Sequence, residues 1–154
     1  MKLLITGTTG RLGSALVRRY SARHEVLSAG RGELDLSRPE SVVGVLRGKD
    51  FDLLINCAGI TSPDACERQP ELAQRVNAES PAAMAAECQR RGARMIQIST
   101  DYVFGGETAD LLDEASPAEP VNHYGQTKRE AEVAVLSACP SALVVRVSWL
   151  FGSG

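Results

Sequence analysis

Three glycines spaced three apart, in Gly7-Thr-Thr-Gly10-Arg-Leu-Gly13, join a run that reads as a strand, Lys2 to Thr6, to one that reads as a helix from about Arg11 to Ala22. Residues without a Cβ let the chain turn tightly there and let a bound group approach the backbone closely. The N–H groups that open the helix have no intrahelical partner and carry partial positive charge, so the turn suits a pyrophosphate. Strand, turn and helix fall in the order this use requires. Gly7, Thr9, Gly10, Arg11, Leu12 and Gly13 are therefore the first candidate cofactor contacts.

The rest of the chain repeats the alternation. Glu25 to Ala29, Leu53 to Asn56, Arg94 to Ser99 and Ala142 to Val147 read as strands. Leu12, Ala15, Leu16 and Arg19 fall at helical spacing in the first helix, and Ser37-x-x-Glu40 predicts a capping box with Pro39 in the first turn of a second. A long helical stretch from Pro70 to Arg91 should be kinked or divided by Pro81 and end at Gly92. The last helix spans about Tyr124 to Ala138 and stops at Cys139-Pro140. Continuous apolar strands linked by helices predict an α/β fold, a doubly wound parallel sheet of Rossmann type, in one domain over residues 1–154. The segment from Gly105 to Pro120 is the longest without periodicity and is expected to form a substrate-side rim or lid.

Composition excludes several classes. The 154 residues are 44% hydrophobic with a net charge of −2, enough for a core and without the basic footprint of a nucleic-acid or anionic-membrane binder. No apolar run nears the ~20 residues of a membrane span, and the N-terminus lacks a signal peptide's basic region and cleavage site. Cys57, Cys66, Cys88 and Cys139 show no C-x-x-C pairing, and with His24 and His123 they form no zinc-ligand spacing, so no metal site is expected. Free thiols point to a reducing, cytoplasmic setting.

Tyr124 and Lys128 stand four apart on the last helix and so share one face. A phenol titrates near ~10, and an ammonium beside it favours the phenolate, giving a proton donor usable nearer neutral pH. Thr100 closes the fourth strand at its carboxyl end, where a parallel sheet places its ligands.

The G-x-x-G-x-x-G spacing resembles that of the short-chain dehydrogenase/reductase superfamily. The tip of the second strand, Ser28-Ala29-Gly30-Arg31, lacks the acid that holds a ribose 2′-OH, and Arg31 with Arg11 is suited to a 2′-phosphate, so NADPH is preferred, with NADH as the alternative. The superfamily resemblance also implies that Asp35, Leu36, Ala58 and Gly59 border the adenine and ribose. The blocks Ile55-Asn-Cys-Ala-Gly59, Val76-Asn-Ala78, Ser99-Thr-Asp-Tyr-Val-Phe104, Tyr124-Gly-Gln-Thr-Lys128 and Arg146-Val-Ser-Trp-Leu-Phe-Gly152 together resemble the dTDP-4-dehydrorhamnose reductase family. That resemblance implies NAD(P)H-dependent reduction of the 4-keto group of a dTDP-6-deoxyhexulose to give dTDP-L-rhamnose. It implies that Thr100 bonds the substrate carbonyl, Tyr124 protonates the oxygen, and Lys128 holds the nicotinamide ribose and lowers the Tyr124 pKa. Asp101, Tyr102 and Phe104 are expected either to shape the sugar pocket or to support the loop, and Asn77 to orient a water or backbone group.

The family is almost twice this long, so the resemblance implies that most of the substrate-binding part is missing and that the chain alone turns over poorly. The expected partner is a nucleotide sugar; neither nucleic acid nor membrane is expected, and a homodimer is allowed. Two other readings stand beside the reductase: a non-catalytic NADP-binding regulatory subunit similar to the methionine adenosyltransferase beta subunit, and a different nucleotide-sugar reductase, epimerase or dehydratase. Asp101 supplies only one acid beside Thr100, which disfavours dehydration.

Overall fold

The computed structural model describes residues 1–106 and 111–152. Five strands, β1 (Lys2–Thr6), β2 (Glu25–Ala29), β3 (Leu53–Asn56), β4 (Arg94–Thr100) and β5 (Leu143–Val147), pair in parallel in the order β2-β1-β3-β4-β5. The chain first winds outward from β1 to β2, then crosses back to build the other side. Its switch point lies between β1 and β3, where the carboxyl ends of a doubly wound sheet leave a crevice. A six-stranded Rossmann sheet carries a further strand outside β2. Here a single helix, α2 (Pro39–Arg47), returns the chain from β2 to β3, and β2 is the edge.

Strand side chains alternate between the two faces. Leu4, Leu54 and Met95 face α2, α5 (Ser80–Arg91) and α6 (His123–Ala138), where Val42, Leu46, Met84, Cys88 and Val135 complete the larger core. Leu3, Ile5 and Ile55 face α1 (Arg11–Tyr20) and pack with Leu16, Val17 and Tyr20. Each fully buried Leu or Ile contributes about 1.5–3 kcal/mol relative to exposure. Glu87, 2% exposed, receives Arg90 at 2.6 Å and Arg47 at 3.4 Å, tying α5 to α2 away from the crevice.

Several local readings change. The capping box at Ser37 does not form. Ser37 turns back, its backbone N–H and hydroxyl both donating to Asp35 Oδ1 at 2.9 and 2.7 Å, and α2 begins after Arg38 with Pro39 at its start. A short acceptor two residues upstream competes better for Ser37 than the helix does. The Pro70 to Arg91 stretch is divided into α4 (Pro70–Gln74), a π turn (Arg75–Glu79) and α5. Pro81 has no N–H to give and its ring crowds the carbonyl four residues back, at Asn77; the wider π turn accommodates both. Gly92, at φ 73°, ends α5 as expected, with the N–H of Ala93 reaching the Cys88 carbonyl at 3.0 Å. One helix went unread, α3 (Pro63–Arg68), although its signal is local: Ser62 accepts from the Ala65 N–H at 3.2 Å and Pro63 fills the first turn. Among the described residues no helix is long and apolar enough to cross a membrane.

Candidate active site

A cleft of about 510 Å³ opens at the carboxyl ends of the strands, between the start of α1 and the start of α6. Its floor on the α1 side is the glycine turn. Gly7 has φ 64°, and a Cβ there would lie 2.8 Å from the backbone of Cys57 and Ala58. At Gly13 a Cβ would come within 2.3 Å of the Gly7 carbonyl, so the helix can start this close to the strand only without one. No side chain caps the N-terminus of α1, and its first turn holds no acid. Its free N–H groups therefore face the cleft uncompensated, the condition an anionic group needs.

The opposite wall is β4 and α6. Thr100, Tyr124 and Lys128, 5%, 8% and 7% exposed, all line the cleft with Gly10, Arg11, Leu12 and Gly13. Thr100 Oγ1 donates to Asp101 Oδ1 at 3.1 Å and accepts from the Tyr102 N–H at 3.2 Å. Tyr102 packs edge-on against Tyr124, ring centroids 5.5 Å apart. Lys128 Nζ donates to the Ile98 carbonyl at 2.6 Å.

Burial governs the acidities of these groups. It pushes the Tyr124 phenol above its ordinary range, with the neighbouring Thr100 hydroxyl pulling the other way. Burial also lowers Lys128 to about 8, against the upward pull of the Glu132 carboxylate and Cys57. In the unliganded cleft the Lys128 ammonium is turned to the Ile98 carbonyl, and desolvation is the largest influence on the Tyr124 phenol. Cys57, at the end of β3, is a thiol pushed up to about 11 by burial.

The start of α6 is held from three sides. Asn122 Oδ1 caps it, accepting from the Gly125 N–H at 2.8 Å, and the His123 N–H donates to Glu67 of α3 at 2.8 Å. Gly125 lies so close to the 3-10 turn Asp101–Val103 that a Cβ would stand 2.2 Å from the Tyr102 carbonyl. Asn77, in the π turn and 1% exposed, orients backbone as one of its two anticipated uses: it accepts from the Ile60 N–H at 2.8 Å and donates to the Ile60 carbonyl at 3.0 Å. Its amide also donates to Thr127 Oγ1 at 3.2 Å, joining the loop after β3 to the helix that carries Tyr124 and Lys128. Beneath the floor, Thr6, Asn56 and Gln97 form a buried chain across β1, β3 and β4, with contacts of 2.6 and 2.8 Å.

Ala58 and Gly59 join the cleft, whereas Gly7, Thr9, Arg31, Asp35 and Leu36 lie outside its lining. Arg31 is exposed beyond β2. Leu36 is buried, its carbonyl accepting from Ser80 Oγ at 2.8 Å. Arg11 spans the mouth, Nη1 donating to the Leu150 carbonyl at 2.8 Å. Of the Gly105 to Pro120 segment, residues 107–110 lie outside the described residues, and none of the described ones lines the cleft. Phe104 lies under the Arg146 guanidinium, 4.8 Å from it, and so supports the loop. The reading from sequence missed the far wall, Val147, Ser148, Trp149 and Leu150, together with Ile60 and Thr61. The Arg146 to Gly152 block carried a signal for that wall, but only the sheet order places it opposite Gly10.

Residues 1–154 match the family described as the RmlD substrate binding domain. A dTDP-4-dehydrorhamnose reductase of Streptomyces griseus is 39% identical over 153 residues, covering 98% of this chain and 50% of that protein. The crystal structure of a dTDP-4-dehydrorhamnose reductase from Clostridium acetobutylicum superposes with a TM-score of 0.95 at 38% identity, over 100% of this chain and 55% of that one. The Bacillus anthracis dTDP-4-dehydrorhamnose reductase, solved in complex with NADP, gives a TM-score of 0.91 at 31% identity, over 97% of this chain and 54% of that one. The chain thus spans about half the length of these relatives. With the match running over residues 1–154 and the sheet superposing so closely, the chain belongs to the RmlD substrate-binding-domain family, among whose relatives are the dTDP-4-dehydrorhamnose reductases.

Proposed function

We propose that this chain is the cofactor-binding and proton-donating part of an NADPH-dependent reductase acting on the 4-keto group of a dTDP-6-deoxyhexulose, in the formation of dTDP-L-rhamnose. One observation carries the reading: the glycine turn and the trio Thr100, Tyr124 and Lys128 face each other across a single cleft. The relatives' names supply the substrate class, and the NADP complex of the Bacillus anthracis protein supports the cofactor.

The residues present fit that cofactor. The glycine turn and the uncapped start of α1 suit the pyrophosphate, Ala58 and Gly59 leave room for a flat group, and Lys128 is the cation for the ribose hydroxyls. When bound, NADPH supplies the hydride. Tyr124 supplies the proton. A phenol held above its ordinary range by burial stays protonated at neutral pH, which suits the direction of ketone reduction. Thr100 holds its hydroxyl beside the phenol and, by turning its hydrogen from Asp101 to the ketone oxygen, becomes a second donor where negative charge develops. Lys128, on the same face of α6, is the cation available to the phenolate that proton transfer leaves behind once its ammonium turns from the Ile98 carbonyl.

The test is NADPH oxidation, followed by loss of cofactor absorbance, with a dTDP-4-keto-6-deoxyhexose as substrate, in this chain and in a form extended to the length of its relatives. Oxidation lost in Tyr124→Phe supports the reading. Tight NADPH binding without oxidation in the extended form overturns it in favour of a non-catalytic cofactor-binding subunit.

A further inference from the structure

Glu132 lies one helical turn beyond Lys128 on the same face of α6, 1% exposed. Its two oxygens accept from Arg146 Nε and Nη2 at 2.8 and 2.7 Å, a two-point clasp, and Oε2 also accepts from Arg129 at 3.0 Å. An ion pair this buried is a weak source of stability, because desolvating both charges offsets most of their attraction. Its position is more informative. Arg146 sits in β5, stacked on Phe104, and the chain runs on directly into Val147, Ser148 and Leu150, the far wall of the cleft. Lys128, one turn back along α6, is buried against a backbone carbonyl, and among the described residues no carboxylate comes within ion-pair distance of it.

We propose that Glu132 and Arg146 are a positioning pair that sets the charge of Lys128: the carboxylate keeps the ammonium protonated inside the protein, and the guanidinium, by engaging that carboxylate, limits how strongly. The proposal deepens the function proposed above and rests on Lys128 as the cation for the ribose. The groups around the ammonium come from each neighbouring element. Tyr124, Glu132 and Arg129, which also engages the Glu132 carboxylate, belong to its own helix, Cys57 to the end of β3, and the Ile98 carbonyl and Ser99 to β4, while Asp101 acts on the Tyr124 end. Cys57 is neutral at working pH. Glu132 is therefore the anion that acts on Lys128, and Arg146 acts through it.

A charge role and a merely structural role predict different signs. Removing the carboxylate lowers the Lys128 pKa, and removing the guanidinium raises it, whereas loosened packing moves both the same way. The experiment is an NMR titration of the unliganded chain labelled at the lysine Cε carbons, with the Lys128 signal assigned by its loss in Lys128→Met. Expected results are a midpoint lower by about one unit, a tenfold change in proton affinity, in Glu132→Gln, and a higher midpoint in Arg146→Gln. Arg146→Lys, which keeps the charge and loses the fork, should stay near wild type. Midpoints that move in the same direction in the first two variants, or that do not move, overturn the proposal. If Glu132→Gln does not fold, Arg146→Gln against Arg146→Lys carries the test, and equal shifts in those two overturn it. NADPH affinity is measured across the same pH range; a chain that fails to bind NADPH sinks the functional reading while the titration still decides the pair.

Discussion

Lys128 meets two opposed demands. The proposed function wants its charge at the cleft, yet burial at 7% exposure disfavours that charge and brings the group down to about 8. The unfolded chain holds the same ammonium at the ordinary 10.5. Below about 8 both states are protonated and the fold carries the full desolvation cost; as pH rises from about 8 to 10.5 that cost disappears, because only the unfolded state still binds the proton. Lys128→Met should therefore stabilise the unliganded fold by about 1–3 kcal/mol at neutral pH, and the advantage over wild type should shrink as pH rises through that window. Paired thermal melts at several pH values check it. The same deprotonation predicts that NADPH binding weakens as pH rises through about 8, measurable by cofactor fluorescence. If Tyr124 is the proton donor proposed above, Tyr124→Phe in the form extended to the relatives' length should leave cofactor affinity nearly unchanged and reduce turnover by about 10²–10⁴-fold.

Among the elements, the glycine turn and α6 carry the site, and their glycines differ in use. At Gly13 a Cβ would meet the Gly7 carbonyl at 2.3 Å, whereas at Gly44, inside α2, it would meet nothing within 4 Å. Gly13→Ala is expected to abolish NADPH binding and lower stability, while Gly44→Ala should raise stability by about 0.5–1 kcal/mol through helix propensity alone. Denaturant titration of both variants separates the two effects. Element identity was largely legible because periodicity and punctuation are local: the Lys2, Glu25, Leu53 and Arg94 strands begin where the pattern places them. Where the reading failed, the deciding partner was close in sequence but chosen by competition. Ser37 preferred Asp35 to its helix, whereas the division expected from Pro81 does occur, as a π turn over Arg75–Glu79 just before it.

At the scale of the molecule, the α1 side of the sheet is only partly covered. Ile96, Ile98, Val145 and Val147 are half-buried on that face, Leu143 is 55% exposed, and Trp149 and Phe151 beyond β5 are 75% and 86% exposed. Trp149 is the chain's single tryptophan and lines the cleft. Its emission should therefore be that of a solvated indole and shift to the blue as NADPH is added, with the shift absent in Gly13→Ala. The α/β alternation, the glycine turn and the Tyr124–Lys128 spacing were legible in the residues alone, because each depends on positions close together in the chain. That Arg31 and Asp35 stand outside the cleft lining, that Trp149 and Leu150 wall it, and that Lys128 turns to Ile98 came from the packed fold. Those outcomes depend on which strands become neighbours and on how much water the packed core removes from each ionisable group, quantities that no local pattern encodes.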